Sequence, residues 1–243
     1  MRIIAQQTDS LNTYEFWDNV MNKDYIYGMS INIALTQDNQ ILTYTVNGNS
    51  NATTNTIENS TLDKLNNYEI QLFDDALKNL SQKNMKKNIY VNIAPFKIGT
   101  LTNENIKEVT TRMNLYVDMI KEIIDKYPDL NISLHCINRS ILTILKQKIK
   151  NHKLGLVVYN TDLNFIDVDY YVITMNAFDD AIVDLLLREN KEIILYIYSD
   201  YYIAYTYDHY IGEKSTPHLQ QTFEKLKIMN NYPEIINKVF NEN

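Results

Sequence analysis

One cysteine, one tryptophan, four prolines and five glycines stand among the 243 residues of this chain, and the scarcity of each closes a possibility. Cys136 has no second cysteine to pair with, so no disulfide can form within the chain. The opening Met-Arg-Ile-Ile-Ala-Gln-Gln lacks an apolar stretch of signal-peptide length. Together these predict a reducing compartment, in the simplest case the cytoplasm. Apolar runs such as Ile193 to Tyr198 have the length of strands and fall far short of the ~20 residues a membrane span needs. No basic arm or stripe offsets a formal net charge of -7, so phosphate backbones are repelled and nucleic acid is not an expected partner. Without a Pro/Gly/Ser linker or an internal repeat, nothing divides the chain, and one domain over residues 1–243 is expected. Few glycines beside heavy use of Asn, Ile, Lys and Tyr point to an AT-rich genome.

What is present is an ordinary apolar content of 45%, enough for a full core, set out as short apolar runs alternating with helix-period segments. Strands are predicted at Ile3 to Gln7, Met29 to Leu35, Asn88 to Ala94, Ile132 to Ile137, Leu154 to Tyr159, Tyr170 to Met175 and Ile193 to Tyr198. A weak eighth is predicted near Tyr210 to Gly212. Helices are expected from Asn12-Thr13 with Phe16, from Asn103 to Tyr127 before Pro128, from Ser140 to Ile149 and from Phe178 to Glu189. A last helical stretch from Leu219 to Met229 continues toward another after Pro233. Ile41 to Val46 reads as an added strand in a hairpin, followed by an exposed loop from Asn47 to Ser60. Such a succession either closes as a barrel or stays open as a doubly wound sheet. The open form usually opens on a glycine-rich phosphate-binding turn, which Gln6-Gln7-Thr8-Asp9-Ser10 is not.

The first hundred residues carry a motif frame: Ile3-Ile4-Ala5-Gln6-Gln7, Asn12-Thr13, Asn32-Ile33-Ala34, Thr36-Gln37-Asp38-Asn39, Thr45-Val46 and Thr53-Thr54. This order resembles the glycerophosphodiester phosphodiesterase family of PLC-like phosphodiesterases, whose pattern is His-Arg-Gly, Asn-Thr, Glu-x-Asp, Thr-x-Asp-Gly, His-Asp and a Thr-Thr loop. Weaker echoes follow at Cys136-Ile137-Asn138, Leu154-Gly155-Leu156 and Leu195 to Ser199, extending the resemblance to about Pro217. It implies a (β/α)8 TIM-type barrel with a small β-hairpin after the second strand, its site at the C-terminal strand ends.

The spacing of that frame survives and its chemistry does not. Strand alternation puts Asn32 and Ala34 on one face and Ile31, Ile33 and Leu35 on the other, so the first pair points into the barrel mouth. By resemblance these two hold the family's metal-binding Glu and Asp, and Ala94 its third carboxylate. The family's lysine falls on Phe96 or Lys97. Its acid/base His and phosphate-binding Arg fall on Gln6 and Gln7, and its second His and neighbouring Asp on Thr45 and Val46. Such a reaction needs a cation to balance the phosphodiester and a proton for the leaving alkoxide, and a hard divalent ion needs charged oxygen ligands. Neutral amides, alanines and a threonine supply neither.

The resulting expectation is a catalytically inactive barrel of this type, a pseudoenzyme with a binding, scaffolding or structural role and no cofactor. A neutral ligand pocket is drawn from Gln6, Asn32, Asn92, His135 and Tyr196. The competing class is an active metal-dependent phosphodiesterase, using Ca²⁺ or Mg²⁺ to hydrolyse glycerophosphodiesters or cleave phospholipid head groups. His135 is either a repurposed group or, as is commoner for a strand histidine, a hydrogen-bonded core residue. Asp200, Asp208, His209 and Glu213 read as a solvated rim rather than a new acidic site, and Asp162, Asp167 and Asp169 as a loop without calcium-loop spacing. The run Tyr196, Tyr198, Tyr201, Tyr202, Tyr205, Tyr207 and Tyr210 suggests either packing or a surface for a protein partner or self-association.

Overall fold

The computed structural model describes residues 1–6, 13–44, 54–65, 70–95, 105–159, 166–212 and 215–241. In chain order come β1 (Arg2–Gln6), α1 (Thr13–Met21), β2 (Ile26–Leu35), β3 (Ile41–Tyr44), α2 (Thr54–Glu58), β4 (Gln71–Leu72), α3 (Phe73–Gln82) and β5 (Asn88–Ile93). They are followed by α4 (Ile106–Asp125), β6 (Ile132–Cys136), α5 (Arg139–Lys148), β7 (Lys153–Val158), β8 (Tyr170–Thr174) and α6 (Asp180–Arg188). The chain then runs through β9 (Glu192–Ile197), α7 (Asp200–Tyr210), α8 (Pro217–Lys225), β10 (Lys227–Asn230) and α9 (Pro233–Asn241). The parallel strands run β1-β10-β9-β8-β7-β6-β5-β2, and β2 pairs back onto β1, closing an eight-stranded barrel. The antiparallel β3 pairs with β2, and β4 with β3, forming the hairpin extension. No helix among the described residues is long and apolar enough to cross a membrane.

Strand alternation sorts the core into layers. Ile4, Tyr90, Val157, Tyr170, Val172, Ile194 and Met229 fill the barrel interior. Their sequence neighbours Ile3, Val91, Leu156, Tyr171, Ile173, Leu195 and Ile228 face outward into the layer under the helices. Gly155 makes the inner packing possible: a Cβ there would meet the Tyr170 ring at 2.4 Å. That ring instead crosses the barrel centre, edge-on to Tyr90 and to His135. Helix starts follow cap chemistry, with Asn138 accepting from the Ser140 and Ile141 amides and Asp179 from those of Ala181 and Ile182.

The seven stronger strands lie where the sequence puts them, to within a residue or so at most ends. The eighth does not. Tyr210 ends α7, and the closing strand is Lys227–Asn230, overlapping the stretch expected to stay helical to Met229. α8 stops at Lys225, and tertiary pairing with β9 and β1 takes the next residues into the sheet. The expected loop from Asn47 to Ser60 also needs correction, since Thr54–Glu58 is helical with Ile57 and Glu58 buried. Between Ser60 and Asn88 the sequence analysis assigns no element, yet Phe73, Ala76, Leu77 and Leu80 form the buried stripe of α3.

The N-terminal end of the barrel is closed by a charge. Lys227 is 3% exposed and points inward beside Ile194. Its ammonium donates to Glu192 and, at 3.0 Å, to Tyr90 Oη, and lies 4.6 Å from the centroid of the Tyr27 ring. Glu192 is also paired with Lys153 at 3.2 Å.

Candidate functional site at the barrel mouth

The opposite, C-terminal end collects the residues singled out in the sequence. Gln6 is the last residue of β1, on the face of Ile4, and is buried. Asn32 and Asn92 are paired across β2 and β5, and the Asn92 amide donates to Asn32 Oδ1 at 2.9 Å. The Asn32 amide reaches back to the Tyr44 carbonyl at 3.5 Å. Two residues further along each strand, Ala34 and Ala94 are both buried in one apolar cluster with Leu42, Tyr44, Ile57 and Leu65. The hairpin and α2 therefore cover the two alanines. Gln7, Thr45, Val46, Phe96 and Lys97 lie outside the described residues.

The scaffold half of the motif keeps its local work. Thr36 donates to Asp38 at 2.7 Å, and Asp38 accepts from the Leu62 amide at 3.1 Å, tying the β2–β3 turn to the segment after α2. The Thr36 hydroxyl chiefly, with help from the Leu62 amide, holds the Asp38 carboxyl below its ordinary value. Asn39 follows at φ 59°, the left-handed conformation that the motif's glycine adopts freely and asparagine tolerates.

Phenols surround the rest of the mouth. Tyr196 is hydrogen-bonded to the Gln6 side chain, and burial pushes its pKa up to about 12. Burial also raises Tyr44 and Tyr159. These groups stay neutral at any physiological pH. Deeper in, His135 is 2% exposed, shares a 3.1 Å hydrogen bond with Tyr170 Oη, and is held by burial near a pKa of about 3. It is a neutral imidazole enclosed by the barrel. Burial likewise pushes the Cys136 thiol up to about 12, away from the reactive thiolate.

Among the described residues near the last strands, Asp208 and His209 do not converge. His209 on α7 meets Asp180 of α6 at 3.0 Å, while Asp208 lines a separate cavity of about 400 Å³ with Ile203, Ala204, Tyr207, Ile235 and Val239. Asp200–Tyr210 is a helix rather than the solvated loop rim the sequence suggested, and the side chain of Asp200 and all of Glu213 lie outside the described residues. Asp167 and Asp169 do lie in a connecting segment, Asp167 paired with Lys146 and Lys191 at 2.7 and 3.0 Å, while Asp162 is not among the described residues. The tyrosine run divides. Tyr210 is buried against Phe223, and Tyr198 and Tyr202 both donate to Asn176 Oδ1, whereas Tyr201 is 73% exposed. Among the described residues no three His, Cys, Asp or Glu side chains assemble as a metal-ion cage.

Of three unpaired oxygens at this end, the sequence reading had singled out the residue of one, Gln6, and missed Thr174 and Asn231. Gln6 Oε1, Thr174 Oγ1 and Asn231 Oδ1 are buried without a hydrogen-bond partner. Thr174 offered a signal, since alternation from Tyr170 and Val172 aims it inward. Asn231 offered none while β10 went unrecognised.

No protein-family model and no curated relative matches the sequence. The fold is shared with solved structures. A phosphodiesterase from Oleispira antarctica, in complex with the product sn-glycerol-3-phosphate, superposes with a TM-score of 0.70 at 14% identity, over 98% of this chain and 96% of that one. A glycerophosphodiester phosphodiesterase from Parabacteroides distasonis gives 0.70 at 11% identity, over 98% and 95%. Another from Thermotoga maritima gives 0.63 at 14% identity, over 98% and 97%. At these identities the likeness is one of fold, along the full length of both chains.

Proposed function

We propose that this chain is a barrel of the glycerophosphodiester phosphodiesterase type that does not hydrolyse phosphodiesters and acts by binding or scaffolding. The observation that carries the reading is the chemistry at the ends of β2 and β5. Asn32 Oδ1 is taken by the Asn92 amide, and Ala34 and Ala94 are sealed under Leu42, Ile57 and Leu65. A Ca²⁺ or Mg²⁺ ion needs charged oxygens in its coordination shell, and one amide oxygen already engaged by a neighbouring amide does not fit that need. No reaction step is therefore assigned to a metal. Gln6 cannot shuttle a proton, because an amide has no titration near neutrality, and His135 is too deeply enclosed to reach a leaving group. The sequence adds the same neutrality at Gln7 and Thr45. For a protein partner or a second copy, α7 offers exposed aromatic surface at Tyr201 and Tyr205.

The test is a calorimetric titration of the purified chain with Ca²⁺ and Mg²⁺, beside an assay for glycerol phosphate release from glycerophosphodiesters. These substrates are chosen because the Oleispira antarctica enzyme holds sn-glycerol-3-phosphate as its product. The expected result is no saturable heat and no release. Micromolar metal binding with turnover overturns the reading and makes the protein a metal-dependent phosphodiesterase.

A further inference from the structure

We infer that the barrel mouth binds a neutral, hydroxyl-rich small molecule, of the polyol or monosaccharide class, in preference to a phosphate anion. This rests on the reading above that the mouth is not a metal-bound phosphodiesterase site. Gln6 Oε1, Thr174 Oγ1 and Asn231 Oδ1 lack partners, and their side chains belong to residues only 4%, 1% and 9% exposed. Buried acceptors are almost always satisfied, so unpaired ones grouped in one place call for an occupant. They are grouped: Thr174 pairs in register with Tyr196, while Asn230 pairs with Ile197 on one side and Ala5 on the other. That register sets Asn231 beside the ends of β9 and β1, where Gln6 lies. The ends of β8, β10 and β1 thus present these oxygens along one side of the mouth, with Tyr196 of β9 between Thr174 and the other two.

The complementary ligand follows from the donor and acceptor inventory. Two amide oxygens and a hydroxyl call for O–H or N–H donors. Tyr196 and Tyr159 keep their protons because burial raises both, so they add donors and apolar ring faces. At the inward strand-end positions among the described residues no Lys or Arg stands, so no described strand-end side chain balances a phosphate's charge. A polyol or sugar ring offers hydroxyls to the amides and C–H faces to the phenols, a pattern of few polar groups in an aromatic-lined cleft.

The test is saturation-transfer NMR on the full chain, without metal, against myo-inositol, D-glucose, glycerol and sn-glycerol 3-phosphate. Saturation transfer to myo-inositol or D-glucose is expected, with affinity about fivefold weaker in Thr174→Val, the loss of one hydrogen bond. Without a probe, Thr174→Val should unfold at a temperature no lower than the parent, since the change removes an unpaired hydroxyl. If that variant fails to fold, Tyr196→Phe carries the same comparison. Three results overturn the inference: no transfer to any polyol, tighter binding of sn-glycerol 3-phosphate than of the polyols, or unchanged polyol affinity in the folded variants. Failure of the earlier reading is separate, because only metal-dependent turnover signals it.

Discussion

Ala34 sits where a carboxylate would have to be desolvated. Of its neighbours Leu42, Tyr44, Ile57, Leu65 and Ala94 only the Tyr44 phenol could donate a hydrogen bond, so Ala34→Asp should cost on the order of 3 kcal/mol at neutral pH. Burial would raise the new carboxyl's pKa above its unfolded value. The folded state would then hold the proton more tightly, and the loss should shrink as pH falls toward 4, which urea unfolding at pH 7 and pH 5 will show. A metal-ready site would behave differently, with added Ca²⁺ recovering the stability. His135 runs the other way. Its folded pKa of about 3 lies below the ordinary 6.5, so stability is complete above 6.5 and falls as pH drops through that window. The difference bounds the effect at about 5 kcal/mol. His135→Gln keeps a partner for Tyr170 but does not titrate, so the variant's unfolding free energy should lose that part of its slope between pH 6.5 and 4.

At the scale of elements, the β2–β3 hairpin shows why spacing outlives chemistry. Asp38 accepts from Thr36 and from the Leu62 amide, contacts that hold the turn and the segment covering the two alanines. Asp38→Ala should cost about 1 kcal/mol per lost hydrogen bond, readable in urea melts, without exposing any charge. Selection for folding alone preserves such a residue, whereas nothing in folding preserves Glu at Asn32. This is also why the strands and the positions of Asn32, Ala34 and Gln6 were legible, since both depend on strand alternation and turn chemistry, which are local, whereas closure into a barrel was implied only by the family resemblance. β10 was not legible because four residues beginning with Lys227 carry no strand signature, and only pairing with β9 and β1 makes them one. α7 was hidden by its composition, since Tyr and Thr are poor helix formers and the segment has no apolar stripe. With β10 unread, Asn231 and one side of the mouth were beyond reach.

For the molecule as a whole, closure of the barrel and its charged floor are one problem. The last strand must enter between β9 and β1, and Lys227 on that strand reaches Glu192 on β9 and Tyr90 on β5 across the interior. Burial raises the Glu192 carboxyl, but the hydrogen bonds from Lys227 and Lys153 outweigh it and the group lies below its ordinary 4.5. A carboxyl depressed in the folded state adds stability that is present above its unfolded value and is lost as pH falls below about 4.5 and through the folded pKa. Burying the ammonium is costly, so the pair specifies closure more than it stabilises. Lys227→Met leaves Glu192 with Lys153 alone and should cost about 1–3 kcal/mol, below the cost of an uncompensated buried charge. Adding Glu192→Gln removes a half-buried charge left with one exposed partner, so the double variant should be no less stable than the single one. A double variant that loses the sum of both single changes would mean the pair contributes nothing jointly, and would move the origin of barrel closure to the apolar contacts of Ile228 and Met229.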